Sequence, residues 1–325
     1  MIKGRTYVHL TGGLGNQLFQ LAAALSYRKN SIVVFENNLG SPRSNKKGYP
    51  DLFDFDLSRI DFAVNKNGIL NKGFVSRASN FMLRSGVAPT RFEKYRIINF
   101  CFLSAASLIL SINFLRPMRL SIGQGLGFFD RRQNGKLSNY QIGYFQSYKW
   151  ASKPDVFKRL MEISPKNPSE IFLTSLEEIK SQTPIVVHLR LGDYKNENGF
   201  GIPDIKYYVQ AIQMLQSQIS GTPIWYFSDE PELAKNYLKN KCPEGLWFSK
   251  DLSNSCELLE IMRHGSGYVI GNSTFSWWGA FLRRNQGAPV IAPNPWFRTA
   301  SPVALLPQNW IEIDSGIQAN DKVWE

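Results

Sequence analysis

Three short stretches carry residue types suited to a phosphorylated substrate. In VVHLRLGDYK, residues 186–195, an apolar strand pattern runs into His188, Arg190, Gly192 and Asp193. His188 and Arg190 are two apart and share one face of a strand, and a guanidinium can grip a phosphate through two parallel hydrogen bonds. The same cluster could instead close on itself as a buried Arg190–Asp193 ion pair. In VIGNSTFSWWGAFLRR, residues 269–284, a strand pattern ends at Gly271 and Asn272, Ser273 and Thr274 cap the helix that follows. Hydroxyls and uncommitted N–H groups at such a helix start make a second phosphate cradle. Trp277 and Trp278 lie within that helix and read as core rather than as a sugar platform.

The third stretch, TGGLGNQLFQ over residues 11–20, is a glycine turn between a strand pattern and a helix pattern. A dinucleotide fingerprint needs G-x-G-x-x-G, and here Leu18 stands at the third glycine, with Glu36 as the only ribose carboxylate on offer. No GxxxxGK occurs, which removes the Walker loop. What remains is a turn through Gly13 and Gly15 that presents Asn16 and Gln17 at a helix N-terminus, either facing negative charge or satisfied within the fold. Glu257 opens another helix. Its carboxylate could accept from the N1–H and N2–H of a guanine edge or serve as a first-turn helix acid. Asp54 and Asp56 spell DxD inside YPDLFDFDLSRIDF, with no strand to deliver them to a nucleotide, and read as structural. Asp193 is a candidate general base, with water as the other possibility.

The elements that must position these residues are legible from Pro184 onward. β-Branched and aromatic runs (PIVVHL, TPIWYFS, GYVIGN, APVIAP) alternate with amphipathic stretches (IKYYVQAIQMLQSQI, PELAKNYLKN, CELLEIMRH), which predicts a parallel sheet wrapped by helices. The chain begins the same way and then becomes less regular. Pro and polar residues gather between 150 and 183. The expected division is residues 1–160, an α/β domain with a basic and apolar insert, and residues 161–325, a nucleotide-binding α/β domain whose last segment returns to the first.

Composition narrows the class. With 325 residues, 43% hydrophobic and 20% charged, the chain is a folded globular protein. Its 3 cysteines and 3 histidines, none in a CxxC, predict neither a disulfide framework nor a zinc site. No secretory signal is visible, so a cytoplasmic location is expected. The net charge is +12. Lys66, Lys72, Arg77, Arg84, Arg91, Lys94 and Arg96 recur without an acidic counterweight, which draws something anionic. The apolar run 97–115 is too rich in Asn and Ser for a convincing bilayer crossing and reads as a buried helix or one resting on a membrane surface.

The stretches GGLGNQLFQ, GYFQS (143–147), HLRLGDY, FSDE (227–230), NSTFSWWGAFL and VIAPNPWF, in that order, resemble the motif set of the bacterial and animal α-1,2-fucosyltransferases. The resemblance implies a GT-B architecture, two Rossmann-like domains facing across a cleft, with GDP-fucose bound mainly by the C-terminal one. It also implies an inverting transfer of fucose to O2 of a terminal β-galactoside, with no metal ion or other cofactor. Arg190 would hold the β-phosphate, and Asn16, above Gly13 and Gly15, would reach the same phosphate or the glycosidic oxygen. Asn272, Ser273, Thr274 and Phe275 would line the diphosphate and fucose, with Ser228 and Asp229 beside them. Glu257 would read guanine, and His188 would orient the donor or its ribose. Many relatives have a second arginine where this chain has Leu191, an acid at Tyr148, and Asp at Glu257. The basic N-terminal half suits a lipid-diphosphate-linked acceptor at the inner membrane face, as in surface-polysaccharide (O-antigen) assembly, and no nucleic acid. An NAD(P)-binding oxidoreductase and a non-enzymatic basic protein that binds membrane or nucleic acid are the competing readings.

Overall fold

A computed structural model describes residues 5–27, 32–36, 50–65, 118–122, 138–192, 199–238, 241–298 and 302–317. All seven basic residues singled out between Lys66 and Arg96, all of 97–115 and Asp193 lie outside the described residues, so the expectations placed on them stay as stated. Among the described residues no helix is long and apolar enough to cross a membrane. The chain separates into two units, residues 1–163 with 302–305, and residues 164–301 with 306–325.

In the first unit β1 (Arg5–His9), β2 (Ile32–Glu36), β4 (Phe62–Asn65), β5 (Met118–Ile122) and β6 (Ser138–Ile142) form one sheet in the order β4-β2-β1-β6-β5. All pairs are parallel. The short strand β3 (Phe55–Asp56) stands apart from it. The helix Leu14–Tyr27 buries Leu18, Phe19, Leu21, Leu25 and the run Ala22, Ala23 and Ala24. Burial around its whole circumference marks it as a core helix, which explains why its pattern is apolar on every side rather than striped.

The second unit carries the two-residue strand β7 (Ser164–Pro165) and then β8 (Ile185–Leu189), β9 (Ile224–Ser228), β10 (Leu246–Trp247), β11 (Gly267–Ile270), β12 (Val290–Asn294) and β13 (Ile311–Asp314). The last six form a sheet in the order β10-β9-β8-β11-β12-β13, again wholly parallel. Counted along this sheet the order is 3-2-1-4-5-6, that of the doubly wound nucleotide-binding fold, and it reverses between β8 and β11. Every residue of β8 is buried, as expected of a central parallel strand covered on both faces. The helix Ile205–Gln218 lays Tyr207, Tyr208, Ala211, Ile212 and Leu215 against Val187, Leu189, Val269 and Ile291. Trp277 and Trp278 are fully buried. Trp277 stacks on Phe281 at 4.5 Å and lies 5.5 Å from Trp310. They are core, as their helical spacing predicts. The α/β architecture expected from the strand and helix alternation is thus adopted twice.

Candidate active site

In an open parallel sheet, ligands settle beyond the C-terminal strand ends where the strand order reverses. In the second unit that place lies between β8 and β11. Ile270 is in register with His188 on one side of β8, and Phe227 on the other. The residues leaving these ends are therefore Arg190, then Ser228 and Asp229, then Gly271 to Ser273.

Arg190 is partly exposed and pairs with Asp229, Nη1 to Oδ2 at 3.3 Å. The carboxylate of Asp229 also accepts from Leu191 N at 2.9 Å and from Gly192 N at 3.0 Å. Asp229 thus ties down the chain that leaves β8 and holds the guanidinium to it. Gly192 makes this possible, because a Cβ there would stand 2.6 Å from Asp229 Oδ2. Gly192→Ala must push the carboxylate off its donors. The variant is expected to lose about tenfold in kcat/KM for the donor while Tm moves by less than about 3 °C, a pattern that kinetics beside calorimetry would resolve.

Ser273 caps the helix Thr274–Phe281, its Oγ accepting from Phe275 N at 3.3 Å. The first intrahelical bond is Trp277 N to Ser273 O at 3.0 Å, so the Thr274 and Ser276 N–H groups have no acceptor within the helix. These amides and the helix dipole follow the end of β11 and Arg190 follows the neighbouring β8, so this end of the sheet carries groups able to attract an anion. Ser228 ends β9, on the other side of β8, with its hydroxyl accepting from Glu230 N at 3.1 Å.

His188 is 4% exposed, and its Nδ1 has no partner. Burial pushes its pKa down to about 4; nearby Asp229 raises it and Arg190 lowers it further. The ring is therefore neutral at physiological pH, 6.0 Å from the Phe275 ring. Because the folded value lies below the unfolded one, the unfolded chain takes up the proton first as pH falls. The stability present above about pH 6.5 is lost on the way down to about 4, about 3 kcal/mol at about 1.4 kcal/mol per pH unit. The melting temperature of a His188→Gln variant should be much flatter across that window, and an equal fall in both proteins would refute the assignment.

Two residues expected at the ligand are spent inside the protein. Glu257 is 0% exposed. It accepts from Ser169 N at 2.7 Å, Ser169 Oγ at 3.1 Å and Ser253 N at 2.9 Å. A guanine edge has no access to it, and the reading of Glu257 as a base reader is corrected to that of an anchor for two helix starts. Asn272 is also fully buried, and its Nδ2 donates to the carbonyls of Gly201 and Trp296, each at 3.0 Å. It ties loops together instead of lining a phosphate. Arg190 meets a carboxylate beyond the next strand, at Asp229, which spacing along the chain could not reveal; the alternative partner, Asp193, lies outside the described residues.

In the first unit the strand order reverses between β1 and β6, and the glycine turn leaves β1 at that point. The residue that needs to be glycine is Gly12, at φ +75°, where a Cβ would meet Asn16 Nδ2 at 2.5 Å. Gly13 has open space where a Cβ would stand, and its carbonyl receives Asn16 N and Gln17 N at 3.0 and 3.1 Å. Gly15 lies in the first turn of the helix. Gln17 is satisfied internally, donating to Gly12 O and accepting from Leu52 N, both at 2.9 Å. Gln20 accepts from Thr11 N at 3.0 Å and donates to Gly143 O at 2.9 Å. Asn16 stays half-buried, and its Oδ1 accepts from Gln146 Nε2 at 2.9 Å. The turn is therefore organised by glutamines to hold up one asparagine. In the nearby DxD, Asp56 is exposed and accepts from Ser58 N at 2.9 Å.

The family model described as glycosyl transferase family 11 matches residues 127–314. An α-1,2-colitosyltransferase of Escherichia coli is 26% identical over 324 residues, covering 94% of this chain and 97% of that protein. The O-antigen biosynthesis glycosyltransferase WbnK of Escherichia coli is 26% identical over 325 residues, covering 94% and 100%. Among solved structures, the fucosyltransferase NodZ from Bradyrhizobium superposes with a TM-score of 0.48 at 12% identity, over 87% of this chain and 94% of that one. A likeness at that level carries nothing about chemistry.

Proposed function

The chain belongs to glycosyl transferase family 11, and on that premise we propose that it transfers fucose from GDP-fucose, with inversion, to O2 of a terminal β-galactoside. The observation that carries the reading is the strand-order reversal of the second unit, where Arg190, paired with Asp229, leaves β8 and the amide-rich start of Thr274–Phe281 follows the neighbouring β11. In the transfer, the bond from C1 of fucose to the phosphate oxygen lengthens while the acceptor oxygen approaches from the opposite face. Negative charge grows on the β-phosphate, and donors aimed there hold the transition state more tightly than the ground state. Arg190 and the helix amides fill this role with no divalent cation. Asn16 adds an amide donor to the departing oxygen, and neutral His188 orients the donor without adding charge. The acceptor hydroxyl proton passes to a base or to water.

The relative that makes O-antigen supports a surface polysaccharide as the product, and the basic residues before 120 suit an acceptor carried on a lipid diphosphate at a membrane surface. The colitosyltransferase sets the competing donor, the sugar that lacks the 3-hydroxyl of fucose. The deciding experiment offers both nucleotide sugars with a panel of β-galactosides and reads the product linkage by NMR. An α-1,2-linked fucoside is expected. Transfer of the 3-deoxy sugar alone would replace the donor. A melting temperature raised by NADH but not by GDP would overturn the reading altogether.

A further inference from the structure

GYFQS is a motif to which the chemistry above gives no task, yet its residues close around Asn16. Phe145 is buried at φ +53°, in the left-handed region that a bulky side chain rarely enters. It delivers Gln146, 4% exposed, whose Nε2 donates to Asn16 Oδ1 at 2.9 Å across 130 residues of sequence, while its own Oε1 is buried without a partner. The backbone is held on both sides of this pair. Gly143 O receives Gln20, and beyond Gln146 both Ser147 Oγ (2.7 Å) and Tyr148 N (3.0 Å) donate to Ala304 O. A strained aromatic and an unpaired buried oxygen are both unfavourable. Their coincidence at one amide marks a constraint that folding does not require.

We infer that Gln146 is a positioning residue that fixes the Asn16 carboxamide with its nitrogen directed at the ligand. An asparagine amide has two orientations half a turn apart, one offering N–H groups and the other an oxygen. With Gln146 Nε2 donating to Oδ1 the pair holds the first orientation, since turning Asn16 alone would set N–H against N–H. On the opposite side, the missing side chain of Gly12 leaves the space that Nδ2 occupies. In that arrangement the Asn16 nitrogen is the group left to face a ligand. The inference rests on the proposed role of Asn16 as a donor to the departing phosphate oxygen.

The test is steady-state kinetics on the full chain with GDP-fucose and a β-galactoside for Asn16→Ala, Gln146→Leu, Gln146→Glu and the double variant Asn16→Ala/Gln146→Leu. Gln146→Leu should lower kcat by about tenfold and change the donor KM by less than about twofold. In the Asn16→Ala background it should cost nothing further, because its effect runs through Asn16 alone. Gln146→Glu keeps the size and a hydrogen bond, and it carries the test if the leucine variant fails to fold. Its carboxylate accepts from Asn16 and turns Oδ1 toward the donor, so kcat should fall at least as far, whereas a purely structural role would be rescued. Wild-type kcat in Gln146→Glu, or losses that add in the double variant, would overturn the inference alone. Unchanged turnover in Asn16→Ala would overturn the reading of Asn16, and the inference with it.

Discussion

Alanine at position 190 is expected to lower kcat by about two to three orders of magnitude, on the order of 3–4 kcal/mol in the barrier, while the fold stays intact. The guanidinium is a cation that the described residues bring to the strand-order reversal of the second unit, and in the proposed mechanism it faces an oxygen whose charge grows as the glycosidic bond breaks. Its removal also leaves the Asp229 carboxylate, 3.3 Å away in the intact protein, facing the same phosphate without its partner. The loss should therefore exceed that of a neutral donor. Stability is little affected, because an ion pair exposed to this extent contributes at most about 1 kcal/mol. Arg190→Lys keeps the charge but not the planar fork, so an intermediate rate is expected. Turnover should also be insensitive to chelators. If manganese restored the alanine variant, or if the variant kept wild-type kcat with GDP-fucose, the proposed charge stabilisation would be wrong.

The second large effect is on folding. Glu260 is almost fully buried at the end of the helix Ser255–Met262 and holds three basic side chains. Its Oε2 lies 2.6 Å from Arg263 Nη1, and its Oε1 lies 3.2 Å from His264 Nε2 and 3.1 Å from Arg284 Nε. Arg263 is itself buried and donates through Nε to Leu282 O at 2.8 Å. The network thus joins this helix to the end of Thr274–Phe281, whose start is the proposed anion site. Burial raises the pKa of Glu260, but the His264 hydrogen bond and the charges of Arg263 and Arg284 outweigh it and bring the value down to about 2.

Glu260→Ala strands the Arg263 guanidinium in the core. Breaking one side of a buried pair costs about 3–5 kcal/mol, so Tm should fall by about 10 °C or more. The network also sets an acid limit. A folded pKa below the unfolded one means that its contribution is complete above about pH 4.5 and is lost as pH falls toward 2. Calorimetry of Glu260→Ala and Glu260→Gln at pH 7 and pH 3 checks both points. A fall of under 3 °C in the alanine variant at pH 7 would show that the network carries little weight.

What the sequence by itself determined is local. β-Branched runs and amphipathic stretches are encoded within a few neighbours, so the parallel α/β class, the core tryptophans, the Ser273 cap and the placing of Arg190 at a strand end were all legible. The family motifs added the chemistry. Tertiary structure alone decided which polar group each site residue meets. Arg190 meets Asp229 because β9 lies beside β8. Glu257 and Asn272 are enclosed by segments distant in the chain, and Asn16 is met by Gln146 from the far side of the first unit's sheet reversal. The glycine that the turn requires is Gly12, outside the Gly13 and Gly15 pair that the motif offered, since the demand comes from the approach of the Asn16 amide rather than from spacing. Periodicity and caps act over one turn of helix or a few strand residues, whereas the partner of a buried polar atom depends on the order in which strands assemble, and no short window of residues records that order.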